Sequence, residues 1–159
     1  MQIRLIVVGR LKEKYWRDAV QEYSKRMKPY AVLEIIEVAE QRVSERPSAL
    51  EIEQALQKEG EQIAKLIPSG AYVIPLAIEG QRLSSEELSD FFDRLTLAGK
   101  SKIVFIIGSS YGISRKILAK GDFLLSFSSM TFPHQMMRII LLEQIYRSMK
   151  ISKHEPYHK

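Results

Sequence analysis

The chain has 159 residues, 45% of them hydrophobic and 27% charged, a balance that fits one folded domain and excludes disordered or fibrous chains. Lysine and arginine outnumber acidic residues by 24 to 19, a formal charge of +5 that favours a polyanionic partner only mildly. The absence of cysteine excludes disulfides, thiolate zinc sites and cysteine nucleophiles, and suits a reducing compartment.

The opening "MQIRLIVVGRLKEKYW" holds too short an apolar run for a secretory signal, so the cytoplasm is the expected location. Gln2 to Val8 reads as a strand with Ile3, Leu5 and Val7 on one face, ended by Gly9. Tyr15, Trp16, Ala19, Val20, Tyr23 and Met27 recur at helical spacing until Pro29, which predicts an amphipathic helix. Val32 to Val38 is a β-branched second strand. Ser48 with Glu51 reads as a capping box for a helix whose stripe is Ile52, Leu56, Ile63 and Leu66, closed by Pro68 and Gly70.

Ala71 to Ile78 is almost wholly apolar, as in a strand covered on both faces, yet it contains Pro75. Proline cannot donate to a ladder, so this strand lies at an edge or is irregular near its C-terminal end. Ser84 and Glu87 open a further helix through Leu88, Phe91, Phe92 and Leu95. Lys102 to Gly108 is another buried strand, "GSSYG" leads to a short helix over Ile113 to Lys120, and "DFLLSFS" supplies a fifth strand. The alternation predicts a single α/β domain over 1–159 with a mainly parallel sheet flanked by helices and right-handed crossovers. Ligands of such sheets gather beyond the C-terminal strand ends, which singles out the loops after Leu76, Ile107 and Phe127.

Gly108 and Gly112 allow close approach of a ligand to the backbone, or form an ordinary tight turn. "SFSSMTF" suits a mixed polar and apolar ligand such as an adenosyl group, or supplies Ser129 or Thr131 as a cap for the next helix. That helix, from Pro133 to about Met149, is apolar all round: Met136, Met137, Ile139, Ile140, Leu141, Leu142, Ile145, Tyr146 and Met149 encircle its axis. Its length and the charges Arg138, Glu143 and Arg147 argue against a membrane span. A C-terminal helix is rarely central in a two-layer domain, which favours a symmetric dimer with this helix at the interface. Arg138 then lies at a partly buried seam, facing an anionic ligand or snorkelling beside Glu143 or Gln135. Glu143 and Arg147 read as a plain helical ion pair. His134, His154 and His158 lack metal-site spacing, so no metal is expected. The tail "KISKHEPYHK" mixes lysine, histidine and tyrosine in a way that suits RNA contact, or is a frayed terminus.

"FIIGSSYG", "LSFSSMTFPHQMMRIILLEQIYR" and the terminal "PYHK", with "VGRLKEKYW" near the start, together resemble the ribosomal RNA large subunit methyltransferase H group of the SPOUT superfamily. The resemblance implies a C-terminal trefoil knot, a homodimer and S-adenosyl-L-methionine bound in the knot. It also implies a substrate: N3 of a pseudouridine in 23S ribosomal RNA, methylated on the assembled ribosome. Carried over by motif, the cofactor site comprises Leu76, Gly108, Phe127, Ser128, Ser129, Met130, Thr131 and Phe132. Tyr157 and His158 of one subunit, with Arg138, are implied in catalysis at the other subunit's cofactor. Lys153, His154 and Lys159 are implied in RNA binding. The competing readings are a non-catalytic ribosome-binding dimer and a SPOUT enzyme with a transfer RNA substrate.

Overall fold

The computed structural model describes residues 1–159. Five strands, β1 (Gln2–Val8), β2 (Val32–Val38), β3 (Tyr72–Arg82), β4 (Lys102–Ile107) and β5 (Leu125–Ser126), form one parallel sheet in the order β2-β1-β4-β3-β5. The helices are α1 (Lys14–Met27), α2 (Ala49–Leu66), α3 (Ser85–Leu97), α4 (Arg115–Leu118) and α5 (His134–Ser152). Alternate residues of the central strands point to opposite faces. Ile3, Leu5, Val7, Ile103, Phe105 and Ile107 therefore meet α1, α3 and α5 in a cluster of 17 buried residues, and Ile6, Val8, Val104 and Ile106 meet α2 and α4 in a cluster of 8. The first face carries the larger share of the core, at roughly 1.5–3 kcal/mol for each large apolar side chain buried.

The domain thus has three layers, and α5 is the central helix of its layer, packed between α1 and α3. This corrects the two-layer expectation. Leu141, Leu142 and Ile145 are fully buried against the sheet while Met137 and Tyr146 pack on flanking elements, so most of the all-round apolar character follows from cover within one chain. No helix is long and apolar enough to cross a membrane.

Two sequence signals change their meaning. At Ser84 the capping box is complete. At Ser48 the hydroxyl accepts from the Glu51 amide, but the Glu51 carboxylate turns to the amide and hydroxyl of Ser44 instead, so only half a box forms. Pro75 sits in a strand that is irregular, as expected. β3 pairs with β4 only from Tyr72 to Pro75, and its pairing with β5 shifts register between Leu76 and Gln81. The Val73 amide and carbonyl both bond to Asp122, and by the two-residue period Pro75 faces that same side, away from β4. Gly121 lies there: a Cβ on it would stand 2.7 Å from the Pro75 ring, so the missing N–H is matched by a missing side chain.

Candidate active site

Where β3 parts from β4 after Pro75, the sheet opens into a cleft. Leu76, Ala77 and Ile78 form one wall, Ile107, Gly108, Ser109 and Gly112 the other, and Leu125, Ser126, Phe127, Ser128, Met130, Phe132 and Met137 close the third side. Its volume is about 130 Å³, below the roughly 300–1,000 Å³ of a pocket that swallows a drug-sized ligand. Space of that size suits a ring-sized apolar moiety rather than a whole drug-sized ligand. The walls are mainly apolar, with backbone groups and the Ser128 hydroxyl among them, a lining that suits a mixed polar and apolar ligand such as an adenosyl group.

Of the residues expected to hold a cofactor, Leu76, Gly108, Phe127, Ser128, Met130 and Phe132 line this cleft, whereas Ser129 and Thr131 are exposed and do not. Neither of those two caps α5: the N-cap is Pro133, which offers no side-chain acceptor. The serine-rich segment is instead folded on itself, with the Met130 amide donating to Ser128 Oγ at 2.9 Å. Met130 stands 73% exposed at the mouth. Gly108 is required for a reason other than ligand approach. A Cβ there would lie 2.1 Å from the Gly112 carbonyl oxygen and 2.7 Å from Ile113, so the glycine lets the loop close, an event sealed by the Gly112 amide donating to the Ser109 carbonyl at 2.9 Å. Gly112 takes φ +94°, left-handed backbone that favours glycine.

The residues expected at the chemistry are elsewhere in the same chain. Arg138 is 1% exposed, donates to Glu37 at 2.6 Å and to the Gly9 carbonyl at 3.1 Å, and is tied to the C-terminal ends of β1 and β2. Beside it, Gly9 at φ +95° lets the His134 ring pack where a Cβ would stand 2.8 Å from it. Burial pushes the His134 pKa down, Glu40 opposing and Arg138 assisting. Tyr157 donates to Glu143 at 3.3 Å and lies under the Arg147 guanidinium at 4.7 Å. His158 bridges Glu86 at 2.7 Å and Arg147 at 3.2 Å. The Glu143–Arg147 pair is therefore more than a helical ion pair: it is the seat of the tail. Lys153 stacks over the Tyr30 ring at 5.2 Å, His154 turns the chain at φ 52°, and both are exposed with Lys159.

Sequence reasoning missed Met137, Ser109 and Glu59. Glu59 had a signal: the stripe Ile52, Leu56, Ile63, Leu66 leaves a gap at the helical position 59, where an apolar residue belongs and a carboxylate stands.

A parallel sheet whose strands diverge into a cleft walled by three loops defines an α/β protein with a ligand-binding cleft at its C-terminal strand ends. The family model described as "Predicted SPOUT methyltransferase" matches residues 1–158, and the chain belongs to that methyltransferase family. The ribosomal RNA large subunit methyltransferase H of Carboxydothermus hydrogenoformans is 49% identical over 159 residues, covering all of both chains. A Methanococcus maripaludis protein provisionally given the same name is 52% identical over 159 residues, again covering both chains fully. A solved structure described as a "probable methylase family protein" from Haemophilus influenzae shares the fold at TM-score 0.53 and 14% identity, over 99% of this chain and 70% of that one.

Proposed function

We propose that this methyltransferase acts as a homodimer on large-subunit ribosomal RNA, placing a methyl group on N3 of a pseudouridine in the assembled ribosome. The observation that carries this reading is the three-loop cleft at Leu76, Gly108 and Phe127 to Phe132, in a chain 49% identical over its full length to an enzyme named for that RNA. S-adenosylmethionine would supply a methyl group on a sulfonium, an electrophile that needs no covalent help from the protein. What the chain must provide is alignment of N3 with that carbon and removal of the N3 proton. Phe127, Phe132, Ile107 and Leu76 would hold the adenosyl portion out of water, and the Gly108–Ser109 backbone and the Ser128 hydroxyl would fix its polar edge.

Tyr157 and His158 lie outside the cleft of their own chain, which supports their delivery to the cleft of a second subunit. There His158, neutral, would accept the N3 proton, and Tyr157 would orient the base. The half-buried outer side of α5, with Met136, Ile139 and Ile140, is the face offered to that subunit, and a trefoil knot around the cleft would hold its three loops in register. Arg138 serves through position, by fixing the start of α5 immediately after the cofactor loop. Lys153, His154 and Lys159 would meet RNA phosphates.

The test is methyl transfer from labelled S-adenosylmethionine to ribosomes, stripped ribosomal RNA and transfer RNA in parallel, with mapping of the modified base. Label on a pseudouridine N3 in ribosomes supports the reading. Transfer to transfer RNA alone, or ribosome binding without transfer, overturns it. His158→Ala is expected to lower kcat by about 10²–10⁴-fold, and an unchanged rate would remove His158 from the chemistry.

A further inference from the structure

Glu59 on α2 is 3% exposed and has no cation beside it. Its Oε1 accepts from the Gln41 amide at 2.9 Å and its Oε2 accepts from the Ser109 hydroxyl at 3.0 Å. Gln41 belongs to the segment after β2, and Ser109 is a wall residue of the cleft. A buried carboxylate without a cationic partner is costly to folding. Burial pushes its pKa up, the Gln41 and Ser109 hydrogen bonds opposing. A leucine at this point of the stripe would be the cheaper solution for the core but would leave Ser109 unheld.

The next residue adds a second contact to the same loop. At Gly60 a Cβ would stand 2.4 Å from Ser114 Oγ and 3.3 Å from Ile117 Cγ1, so α2 touches Ser114 directly. Ser114 in turn caps α4 by accepting from the Ile117 amide. The loop between β4 and α4 is thus gripped at both ends by consecutive residues of one helix: at Ser109 by a carboxylate, at Ser114 by an absent side chain. Glu59 is the charged side chain that hydrogen-bonds to the Gly108–Gly112 wall.

We propose that Glu59 is a positioning residue of the methyl-donor cleft, setting the Gly108–Gly112 wall through Ser109 and coupling it to the segment after β2. The proposal rests on the reading of that cleft as the S-adenosylmethionine site. Glu59 lines no part of the cleft; it acts through Ser109, and its loss shifts the wall by more than ligand binding and methyl transfer tolerate.

The experiment compares wild type, Glu59→Gln and Glu59→Leu for S-adenosylhomocysteine affinity by calorimetry, KM and kcat for methyl transfer, and thermal midpoint. Glu59→Leu should keep or raise the thermal midpoint while weakening ligand binding about tenfold or more, with KM for the donor raised more than kcat is lowered. Glu59→Gln should bind within about twofold of wild type, because its amide can accept from Gln41 and donate to Ser109. Wild-type affinity in Glu59→Leu, or equal losses in both variants, overturns the proposal. If Glu59→Leu does not fold, Ser109→Ala decides, since it removes the same contact without touching α2: weakened binding supports the proposal and unchanged binding overturns it. Failure of the wild type to bind the ligand sinks the cofactor reading and the proposal with it, whereas binding by wild type and all variants alike sinks the proposal alone.

Discussion

The two ends of one sheet edge are built oppositely. Beyond β1 and β2 the strand ends are plugged: Arg138 reaches in from α5 to Glu37 and the Gly9 carbonyl, and His134 fills the space over Gly9. Beyond β3, β4 and β5 the ends part, and the space between them is the cleft. Both corners lie at the C-terminal side of parallel strands, where the fold favours ligands, yet only one is open. The difference shows that a parallel sheet offers several potential sites and that side chains from the last helix decide which are filled. It also separates the expected consequences of mutation, stability at the closed corner and activity at the open one.

The largest expected stability effect is at the closed corner. Glu37→Ala leaves the Arg138 guanidinium buried and unpaired, and should cost about 3–5 kcal/mol in chemical denaturation. Arg138→Met should cost less, because the abandoned Glu37 side chain is 37% exposed and water can reclaim it. Equal losses would mean that the pair is not the plug. At the open corner Gly108→Ala forces a Cβ against the Gly112 carbonyl, and should cost about 1–3 kcal/mol of stability. Its greater effect is on the cleft: cofactor binding by calorimetry should be lost even where the protein is folded.

A smaller effect is pH-dependent. The His134 pKa is lowered by burial, so near neutrality both folded and unfolded chains are uncharged there and nothing is gained or lost. As pH falls below about 6.5, the ordinary histidine value, the unfolded chain takes up a proton that the folded chain refuses, and stability declines. His134→Gln should flatten that slope in denaturation midpoints measured between pH 7 and 5. An unchanged slope would place the effect on another group. The smallest effect is at the tail, where Glu86 is held down to about 2, first by its own backbone amide, then by His158 and Ser84. A carboxylate with a depressed pKa keeps its contribution above the ordinary value near 4.5 and loses it as pH falls toward 2. Release of the tail in that window, read from the His158 ring resonances, is the expected result, and a tail that stays seated through pH 2 would show that Glu86 is not its clasp.

The strand and helix order was legible because each element carries its own period and stop signal, from Gly9 and Pro29 to Ser84 with Glu87. The cleft's three loops were legible too, since apolar strands followed by small residues mark strand ends in a parallel sheet. Thr131 and Ser129 misled as caps, because a hydroxyl's preference for capping is local and the turn that Ser128 makes is set by its neighbours. That α5 is the middle helix of a three-layer domain was missed for a different reason: periodicity reports how much of a helix is covered, not which element covers it. Arg138 and Glu37 are 101 positions apart in sequence, and no local pattern pairs them. Glu59 was within reach, as a charge standing at an apolar position of its stripe.

β5 has a further consequence. It is only two residues long and forms one margin of the sheet, while the other margin, β2, carries Glu34 and Glu37 along its length. A sheet whose free borders are either very short or acidic gives a passing extended chain little to zip onto. The same brevity that lets the segment after β5 turn away to wall the cleft also leaves little edge for another strand to pair with, so that the shape of the cleft and a guarded sheet margin come from one stretch of chain.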